Sequence, residues 1–209
     1  MATDKCKICR KLGEKLFLKG ERCLSPKCAM IRKPYPPGQK NKKRTGPLSV
    51  FGKELKEKQK LKSWYNLRER QFHNYVKEVL KKRGGTEDAS TQLIQVLERR
   101  LDNVVLRLGF ANSRIQARKL ITQRHFLVND KIVNFPSLSV EIGDKIKIRP
   151  ESLKKGMFKD ISSTIKKHVA PSWLSLNINN FEGEVKSLPT FVEAASPVEV
   201  SAIFEFYSR

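Results

Sequence analysis

The sequence predicts an α+β protein, because helical stripes of apolar residues alternate with short strand-prone runs bounded by turn residues. Between residues 93 and 108, apolar side chains recur at steps of three and four, which is typical of one amphipathic helix. This stripe consists of Leu93, Leu97, Leu101, Val104 and Leu108. Further on, two apolar runs flank Asn129, Asp130 and Lys131, a pattern typical of a hairpin. A strand-prone segment from Val140 to Ile148 follows, and Gly143 turns it. Helices and a small antiparallel sheet are therefore expected together.

A second helix is predicted just after this stripe. Gly109 stands where a left-handed residue ends a helix, and Ser113 with Gln116 three residues later forms a capping box. Arg114 and Arg118 are four residues apart, so they share one face, with Lys119 beside them. Arginines beside a helix N-terminus are well placed to bind phosphate groups. The same spacing is also compatible with an ordinary α+β core whose arginines are only solvated.

The chain is strongly basic and its charge is unevenly distributed. Its 209 residues carry a formal charge of +22. Residues 1–83 hold 25 Lys and Arg against 7 Asp and Glu, a net +18, whereas residues 151–209 hold seven of each. This balance favours an anionic polymer as partner. No lipidation motif, signal peptide or apolar run of spanning length is visible, so we expect a soluble cytoplasmic protein without a membrane partner.

All four cysteines lie within the first 28 residues, as Cys6 and Cys9, then Cys23 and Cys28. Two close pairs separated by a loop suit a tetrahedral metal, and a cytoplasmic chain keeps its thiols reduced. Two disulfides and unrelated free thiols are the alternatives, and the spacing favours the metal. We expect Zn²⁺, with a 4Fe–4S cluster as the alternative. Four protein ligands leave no open coordination position, so the metal would be structural.

The segment from residue 31 to 47 is rich in proline and glycine and is interpreted as a basic loop that orders on its partner or serves as a linker. Ser49 is expected to cap a helix from Val50 to Leu61, and Asn66 to cap another from Leu67 to Lys82 that ends at Gly84. Trp64 and Tyr65 between them are expected to pack in the core rather than stack on bases.

The C-terminal part is predicted to contain a helix from Glu151 to Val169 and then three strands. The strand-prone segments run from Trp173 to Asn177, from Phe181 to Leu188 and from Ile203 to Tyr207. We expect them to form a small sheet that packs on the helical domain. The segment is neutral overall and ends in apolar runs, so it suits a protein neighbour better than phosphate.

No catalytic constellation is visible. His73, His125 and His168 stand singly, and none of the common nucleotide-binding, hydrolase or metalloprotease motifs occurs. The chain is therefore predicted not to be an enzyme and to have no small-molecule substrate. An RNA-modifying enzyme would need a catalytic domain, for which residues 151–209 offer too few acids and bases. A zinc-containing DNA regulator would need a recognition helix and usually a dimer seam, and neither is evident.

Several motifs resemble known proteins. Four stretches of the 100–129 region resemble the RNA-binding domain named after ribosomal protein S four: Arg100-Leu-Asp-Asn-Val-Val, Arg107-Leu-Gly-Phe, Ser113-Arg-Ile-Gln-Ala-Arg118 and Val128-Asn129. Asp130 replaces the glycine that this domain usually has in its hairpin, and Asp still tolerates positive φ. Elsewhere, the chain is similar to the cysteine-containing form of the bacterial small-subunit ribosomal protein S four family: Lys19-Gly-Glu-Arg-Cys23, Ser25-Pro-Lys-Cys28, Pro34-Tyr-Pro-Pro-Gly-Gln39, Glu57-Lys-Gln-Lys-Leu61, Glu69-Arg-Gln-Phe72 and Glu205-Phe-Tyr-Ser-Arg209.

The resemblance implies a fold and a function. It implies a zinc-bound arm and loop (1–47), a helical domain completed by C-terminal residues (48–92), an inserted RNA-binding module of helix pair and antiparallel sheet (93–157), and a C-terminal helix with strands on the helical domain (158–209). It also implies a structural constituent of the small ribosomal subunit that binds a multi-helix junction of the ribosomal RNA, nucleates assembly and influences translational accuracy. A neighbouring ribosomal protein (protein S five in the family) and the messenger RNA entry path are the other expected partners.

Basic and polar side chains of the loop, the helical domain and the module are expected to contact the RNA. They are Lys40, Arg44, Lys53, Lys56, Lys58, Lys60, Arg68, Arg70, Arg100, Arg107, Ser113, Arg114, Gln116, Arg118, Lys119, Arg124, His125, Asn129 and Lys131.

Overall fold

The computed structural model describes residues 4–38, 46–81, 88–159, 161–194 and 196–208. Over these residues the chain forms two compact units. The first unit combines residues 1–90 with the C-terminal residues 196–209, and the second unit comprises residues 91–195. Among the helices that the structure describes, none is long and apolar enough to cross a membrane.

The first unit is helical. Its helices are α1 (Lys5–Leu12), α2 (Glu21–Leu24), α3 (Ala29–Arg32), α4 (Val50–Trp64) and α5 (Glu69–Lys81), with α12 (Val200–Ser208) from the C-terminus. Asp4 caps α1, since its carboxylate accepts from the Cys6 N–H, and Gly13 ends the helix with φ 77°. The predicted Ser49 cap of α4 is confirmed, because the Ser49 hydroxyl accepts from the Gly52 N–H.

The predicted cap at Asn66 is wrong. Asn66 takes a left-handed φ of 54°, and its side-chain oxygen accepts a 2.7 Å hydrogen bond from the Lys5 ammonium instead of facing a helix start. Helix α5 consequently begins at Glu69 rather than Leu67. Trp64 and Tyr65 are buried with ring centroids 4.9 Å apart, which confirms them as core residues. The predicted stop at Gly84 lies outside the described residues.

The last predicted strand, Ile203 to Tyr207, is also wrong, because this segment forms helix α12. Val200, Ile203 and Phe204 are buried, and their steps of three and one place them on one helical face. Helix α12 packs against α4, with the rings of Phe51 and Phe206 5.4 Å apart. A five-residue segment with four apolar or aromatic residues does not distinguish strand from helix, and packing against α4 decides it here.

The second unit begins with a helix pair where one long helix was predicted. Helices α6 (Ala89–Glu98) and α7 (Leu101–Arg107) divide the stripe, although its five apolar residues are all fully buried. The chain breaks at Arg100, which is extended (φ −66°, ψ 135°) and forms a β-bridge with Ser139. The Leu101 N–H donates to the Leu138 carbonyl, so tertiary hydrogen bonds replace the helical ones that the break interrupts.

Helix α8 (Arg114–Thr122) leads into the sheet, and within the described part of the chain five strands form one antiparallel sheet. The strands are β1 (Phe126–Val128), β2 (Lys131–Val133), β3 (Lys145–Ile148), β4 (Leu174–Asn177) and β5 (Glu182–Val185), in the order β2-β1-β3-β5-β4. The predicted hairpin is confirmed: Asn129 and Asp130 have φ of 49° and 61°, as a type I′ turn requires. Ile146 and Ile148 face the core, as their alternation predicts.

Strands β4 and β5 belong to the sheet of the second unit. Strand β5 pairs with β3 through the register of Ile146 opposite Gly183, so the C-terminal strands join the sheet of the predicted module and do not form the separate small sheet that was predicted. The second unit accordingly extends beyond the predicted range of 93–157 to residue 195. Gly183 makes this pairing possible, because a Cβ there would stand 2.4 Å from the Leu108 side chain. A glycine within a strand indicates such a close approach.

The predicted helix from Glu151 to Val169 is replaced by shorter pieces. Helix α9 (Pro150–Leu153), a 3-10 turn (Gly156–Phe158) and α10 (Ile161–Lys167) follow one another. Phe158, Ile161 and Ile165 are buried in the core of the unit together with Trp173.

Candidate nucleic-acid interface

The predicted start of α8 is confirmed in detail. The Ser113 hydroxyl accepts from the Gln116 N–H at 3.3 Å. The Gln116 side chain reaches back and accepts from the Asn112 N–H at 2.9 Å, one residue before the usual position of a capping box. Both side chains are half-buried and engaged in the cap. Ser113 and Gln116 therefore shape the helix start rather than project from it.

Arg114 and Arg118 lie on the face of α8 that meets α7. The Arg114 Nε donates to the Asn103 Oδ1 at 2.9 Å, and the Arg118 Nη2 donates to the Asp102 Oδ2 at 3.0 Å. Both arginines are half-buried, with 30% of the Arg118 side chain exposed. The structure thus brings the two predicted phosphate ligands together and holds each through a hydrogen bond to a neighbouring helix.

Two other arginines that were predicted to contact RNA, Arg100 and Arg107, bind carboxylates inside the protein. Arg100 is 2% exposed, and its Nε and Nη2 bind the Asp102 carboxylate at 3.1 and 2.7 Å. The predicted RNA contact of Arg100 stays a prediction, and it would require this side chain to leave Asp102. Arg107 turns inward, forming two 3.0 Å hydrogen bonds to Glu98 and one of 2.8 Å to the Ala194 carbonyl. Fully buried Glu98 needs this cation, since an unpaired buried carboxylate is costly.

His125 is likewise buried, and its predicted RNA contact stays a prediction that this position does not favour. Its Nδ1 is 2.9 Å from the Ser152 hydroxyl, and its ring meets Phe158 edge to face. Burial, followed by the positive charges of Lys155 and Arg149, lowers the pKa of His125. The imidazole is therefore neutral at physiological pH and acts as a core side chain.

Four other predicted residues of this unit do reach solvent. Lys119 lies exposed on α8, and Arg124 is exposed just after it with a left-handed φ of 62°. Lys131 is exposed at the hairpin, and no ion pair within the described residues holds any of these three. Asn129 is exposed but spans the turn, donating to Asp144 at 2.7 Å and accepting from the Lys145 N–H at 3.0 Å. The accessible basic side chains thus follow the end of α8 and the hairpin.

The helical unit divides its predicted ligands in the same way. Lys58 and Lys60 are buried: Lys58 pairs with Glu69 at 2.7 Å, and Lys60 pairs with Glu14 and Glu57 at 2.7 and 2.6 Å. The predicted RNA contacts of these two lysines stay predictions, and they would require both side chains to leave their ion pairs. Lys53, Lys56, Arg68 and Arg70 remain on the surface, exposed or half-buried, and form no ion pairs among the residues that the structure describes. Lys40 and Arg44 lie outside the described residues.

The four cysteines are free thiols that line one small cavity of about 20 Å³, which is room for about one water-sized sphere. One backbone N–H points at a sulfur of this cavity: the Lys19 amide donates to Cys23 at 3.4 Å. Burial, with smaller contributions from the other three thiols, raises the pKa of Cys9. In the described residues, however, no three His, Cys, Asp or Glu side chains converge closely enough to hold a metal ion.

The sequence interpretation missed the residues that hold these arginines. Asp102, Asn103 and Glu98 are buried polar side chains, and each binds at least one arginine. Asp102 and Asn103 stand between the apolar stripe residues Leu101 and Val104, and this position indicates buried polar side chains that need hydrogen-bond partners. Lys145 and Lys147 were also missed. With Asn129, Asp130 and Glu182 they line a polar cavity of about 270 Å³ beside the hairpin.

Comparison with known proteins agrees with this architecture. A family model described as the ribosomal protein S4/S9 N-terminal domain matches residues 2–98, and one described as the S4 domain matches residues 99–146. The small ribosomal subunit protein uS4 of Syntrophus aciditrophicus is 47% identical over 204 residues, which cover 98% of this chain and 96% of the relative. Proteins of the same name from Caldicellulosiruptor saccharolyticus and Thermus thermophilus are 45% identical over the same shares. The family resemblance is confirmed, and its zinc-binding form stays a prediction. The chain belongs to the uS4 family of small ribosomal subunit proteins.

Proposed function

We propose that this chain is a structural constituent of the small ribosomal subunit, located in the cytoplasm, that binds small-subunit ribosomal RNA at a multi-helix junction. Through that binding it nucleates subunit assembly and contributes to translational accuracy. Similarity over nearly the whole chain supports the ribosomal role and a function other than catalysis. The structural observation that carries RNA binding is the pair Arg114 and Arg118, one helical turn apart beside the start of α8.

The chemistry of duplex RNA fits this surface. A-form RNA is bound mainly through phosphates, 2′-hydroxyls and shape, because its deep major groove is closed to side chains. Guanidinium groups bind phosphate oxygens in a planar fork, and exposed lysines add charge that attracts the RNA from a distance. In the second unit, we assign phosphate binding to Arg114 and Arg118. We assign the long-range attraction to the exposed side chains of Lys119, Arg124 and Lys131. In the helical unit, Lys53, Lys56, Arg68 and Arg70 add to the attraction.

Replacing both arginines tests this assignment. The R114A/R118A variant is expected to fold and to lose affinity for small-subunit ribosomal RNA, by about 1.5–3 kcal/mol for each charge-assisted contact. Filter binding at fixed salt measures the loss, and chemical denaturation verifies folding. The matched control is K58M/K60M, which removes the same number of charges from buried positions. Unchanged RNA affinity in a folded R114A/R118A variant would place the binding surface elsewhere.

We also propose that Cys6, Cys9, Cys23 and Cys28 hold one structural metal, Zn²⁺ by preference and a 4Fe–4S cluster as the alternative. Four thiols are donors of the right kind and number for either group, and they line one cavity in which the Lys19 amide donates to Cys23. The metal would link Cys6 and Cys9, which precede the loop between Gly13 and Gly20, to Cys23 and Cys28, which follow it. Lys5 and Lys19 border the same cavity and would offset the negative charge of four thiolates.

Metal content and absorbance test this site. The purified chain is expected to contain one zinc ion, whereas visible absorbance would indicate an iron–sulfur cluster. C9S is expected to lose the metal and the order of the first thirty residues while the second unit stays folded, since metal binding is coupled to local folding. S25A, a change of a non-ligand within the same segment, is the control. A metal-free chain with two disulfides would contradict the proposal.

We propose two further partners: a neighbouring small-subunit ribosomal protein, for which protein S five is the family expectation, and messenger RNA at the entry path. The neutral C-terminal segment supports a protein contact, because Val192 is 84% exposed beside exposed Phe191 on the short helix α11 (Phe191–Ala194). Chemical cross-linking in assembled subunits, with a photoreactive residue at position 192, is expected to capture a protein. Capture of ribosomal RNA alone would contradict this assignment.

A further inference from the structure

We infer that Asp102 and Asn103 are positioning residues for RNA binding. Asp102 holds Arg118, and Asn103 holds Arg114, in place before the RNA binds. The inference rests on the proposed role of the two arginines. Asp102 and Asn103 are consecutive, in the first turn of α7, and each receives one of two arginines that are one turn apart on α8. Two neighbouring acceptors on one helix thus match two donors on the other.

The acceptors are themselves immobile. Asp102 is 3% exposed, and Arg100 binds its carboxylate through two nitrogens. The Asn103 amide donates to the Glu98 carboxylate at 2.6 Å and to the Glu98 carbonyl at 3.2 Å, which directs its oxygen toward Arg114. Glu98 is in turn held by Arg107. Every acceptor therefore has a second, buried partner that keeps it from rotating away from its arginine.

The charges of this network leave the arginines attractive to phosphate. Asp102 is shared by Arg100 and Arg118, so the three side chains together carry one positive charge. Asn103 is neutral, so its hydrogen bond leaves the charge of Arg114 in place. A guanidinium carries five N–H donors, which makes contact with a protein acceptor compatible with contact to a phosphate. The network orients both cations without neutralising them.

Orientation before binding has a measurable effect. Ordering a long side chain on binding costs about 0.5–1.5 kcal/mol, which corresponds to about 2- to 12-fold in affinity for each arginine. When the fold has already ordered the side chain, that cost does not reduce RNA affinity. Loss of Asp102 or Asn103 should therefore weaken RNA binding only as long as the corresponding arginine is present.

Double-mutant cycles on the full chain test this dependence. The affinity for full-length small-subunit ribosomal RNA is measured by filter binding for D102N, R118A and D102N/R118A, and for N103A, R114A and N103A/R114A. We expect D102N to reduce affinity by about 2- to 12-fold in the wild-type background and not in the R118A background. The Asn103 and Arg114 variants are expected to behave in the same way. Lys119 is the control, since D102N and K119A should act independently.

Equal losses in both backgrounds would overturn the inference, because they would show a general structural effect. If R118A and R114A do not change affinity, the proposed RNA site itself fails, which is a separate result. D102N leaves buried Arg100 without its carboxylate partner, which could prevent folding. In that case the cycle of N103A and R114A alone tests the inference. One measurement needs no variant: in the RNA-free protein, the Arg114 Nε–H should exchange slowly with solvent in NMR spectra. Rapid exchange there would also overturn the inference.

Discussion

Two regions of this protein use basic side chains differently. In α4, lysines are abundant, yet Lys58 and Lys60 are buried in ion pairs while Lys53 remains exposed. In α8, Arg114 and Arg118 are half-buried and each contacts a buried acceptor on α7. The number of charges therefore does not measure the binding surface. Exposed lysines supply long-range attraction that salt screens, whereas oriented arginines supply short-range contacts of defined geometry.

The largest expected effect concerns the salt dependence of RNA binding. Deleting residues 1–45 removes 14 Lys and Arg against 3 Asp and Glu. The log–log slope of affinity against salt should become shallower by about 0.7–0.9 for each phosphate that the shortened chain no longer neutralises. The second unit should keep a weaker preference for its RNA. Filter binding across a salt series measures the slope, with an unrelated duplex RNA as control. Identical slopes for the full-length and shortened chains would mean that the arm is only a solvated tail.

An intermediate effect separates buried from exposed lysines of α4. K58M should lower the free energy of unfolding by about 1–2 kcal/mol, because it removes the cation–π contacts of the Lys58 ammonium with the Phe206 and Tyr207 rings as well as its hydrogen bond to half-exposed Glu69. It should leave the salt slope of RNA binding unchanged. K53M, on the same helix, should leave stability unchanged and make the slope slightly shallower. Urea denaturation and salt-dependent filter binding measure the two quantities. A flatter slope for folded K58M would show that the lysine leaves its buried position for the RNA.

The smallest effect is the pH dependence of stability at Glu69. Burial alone would raise the pKa of Glu69, but hydrogen bonds from Lys58, Lys62 and the Tyr207 hydroxyl outweigh it and lower the pKa to about 2. The unfolded chain has its usual pKa near 4.5, so this contribution is complete above that pH and is lost as the pH falls toward 2.

The Glu69 side chain is 47% exposed, so the contribution should stay below about 1 kcal/mol. Urea midpoints at pH 6 and pH 3 should differ less for E69Q than for the wild type. E78Q, an exposed glutamate on the same helix, is the control. An equal pH response in E69Q and the wild type would show that the pairs around Glu69 do not stabilise the fold.

Features that depend on a few neighbouring residues were predictable from the sequence. The Ser113 cap, the left-handed Gly109 and the Asn129–Asp130 turn each follow from side-chain chemistry within four residues of the position concerned. The apolar stripe from Leu93 to Leu108 also predicts core residues correctly, because all five are buried although the helix breaks at Arg100. The family was recognisable for the same reason, since its motifs are short and contiguous.

Features that depend on distant residues were decided only by the tertiary structure. Arg100 looks like any other basic residue until its backbone pairs with distant Ser139 and its side chain becomes buried beside Asp102. The segment from Ile203 to Tyr207 is a helix that packs on α4, where Phe51 and the Lys58 ammonium contact the Phe206 ring. Strand β5 can join β3 because Gly183 leaves room for Leu108. By itself, the sequence determined which residues are apolar, cationic or turn-forming. Which cations reach solvent depended on buried partners contributed by other helices, since burying a charge is tolerated only where a partner compensates the lost hydration.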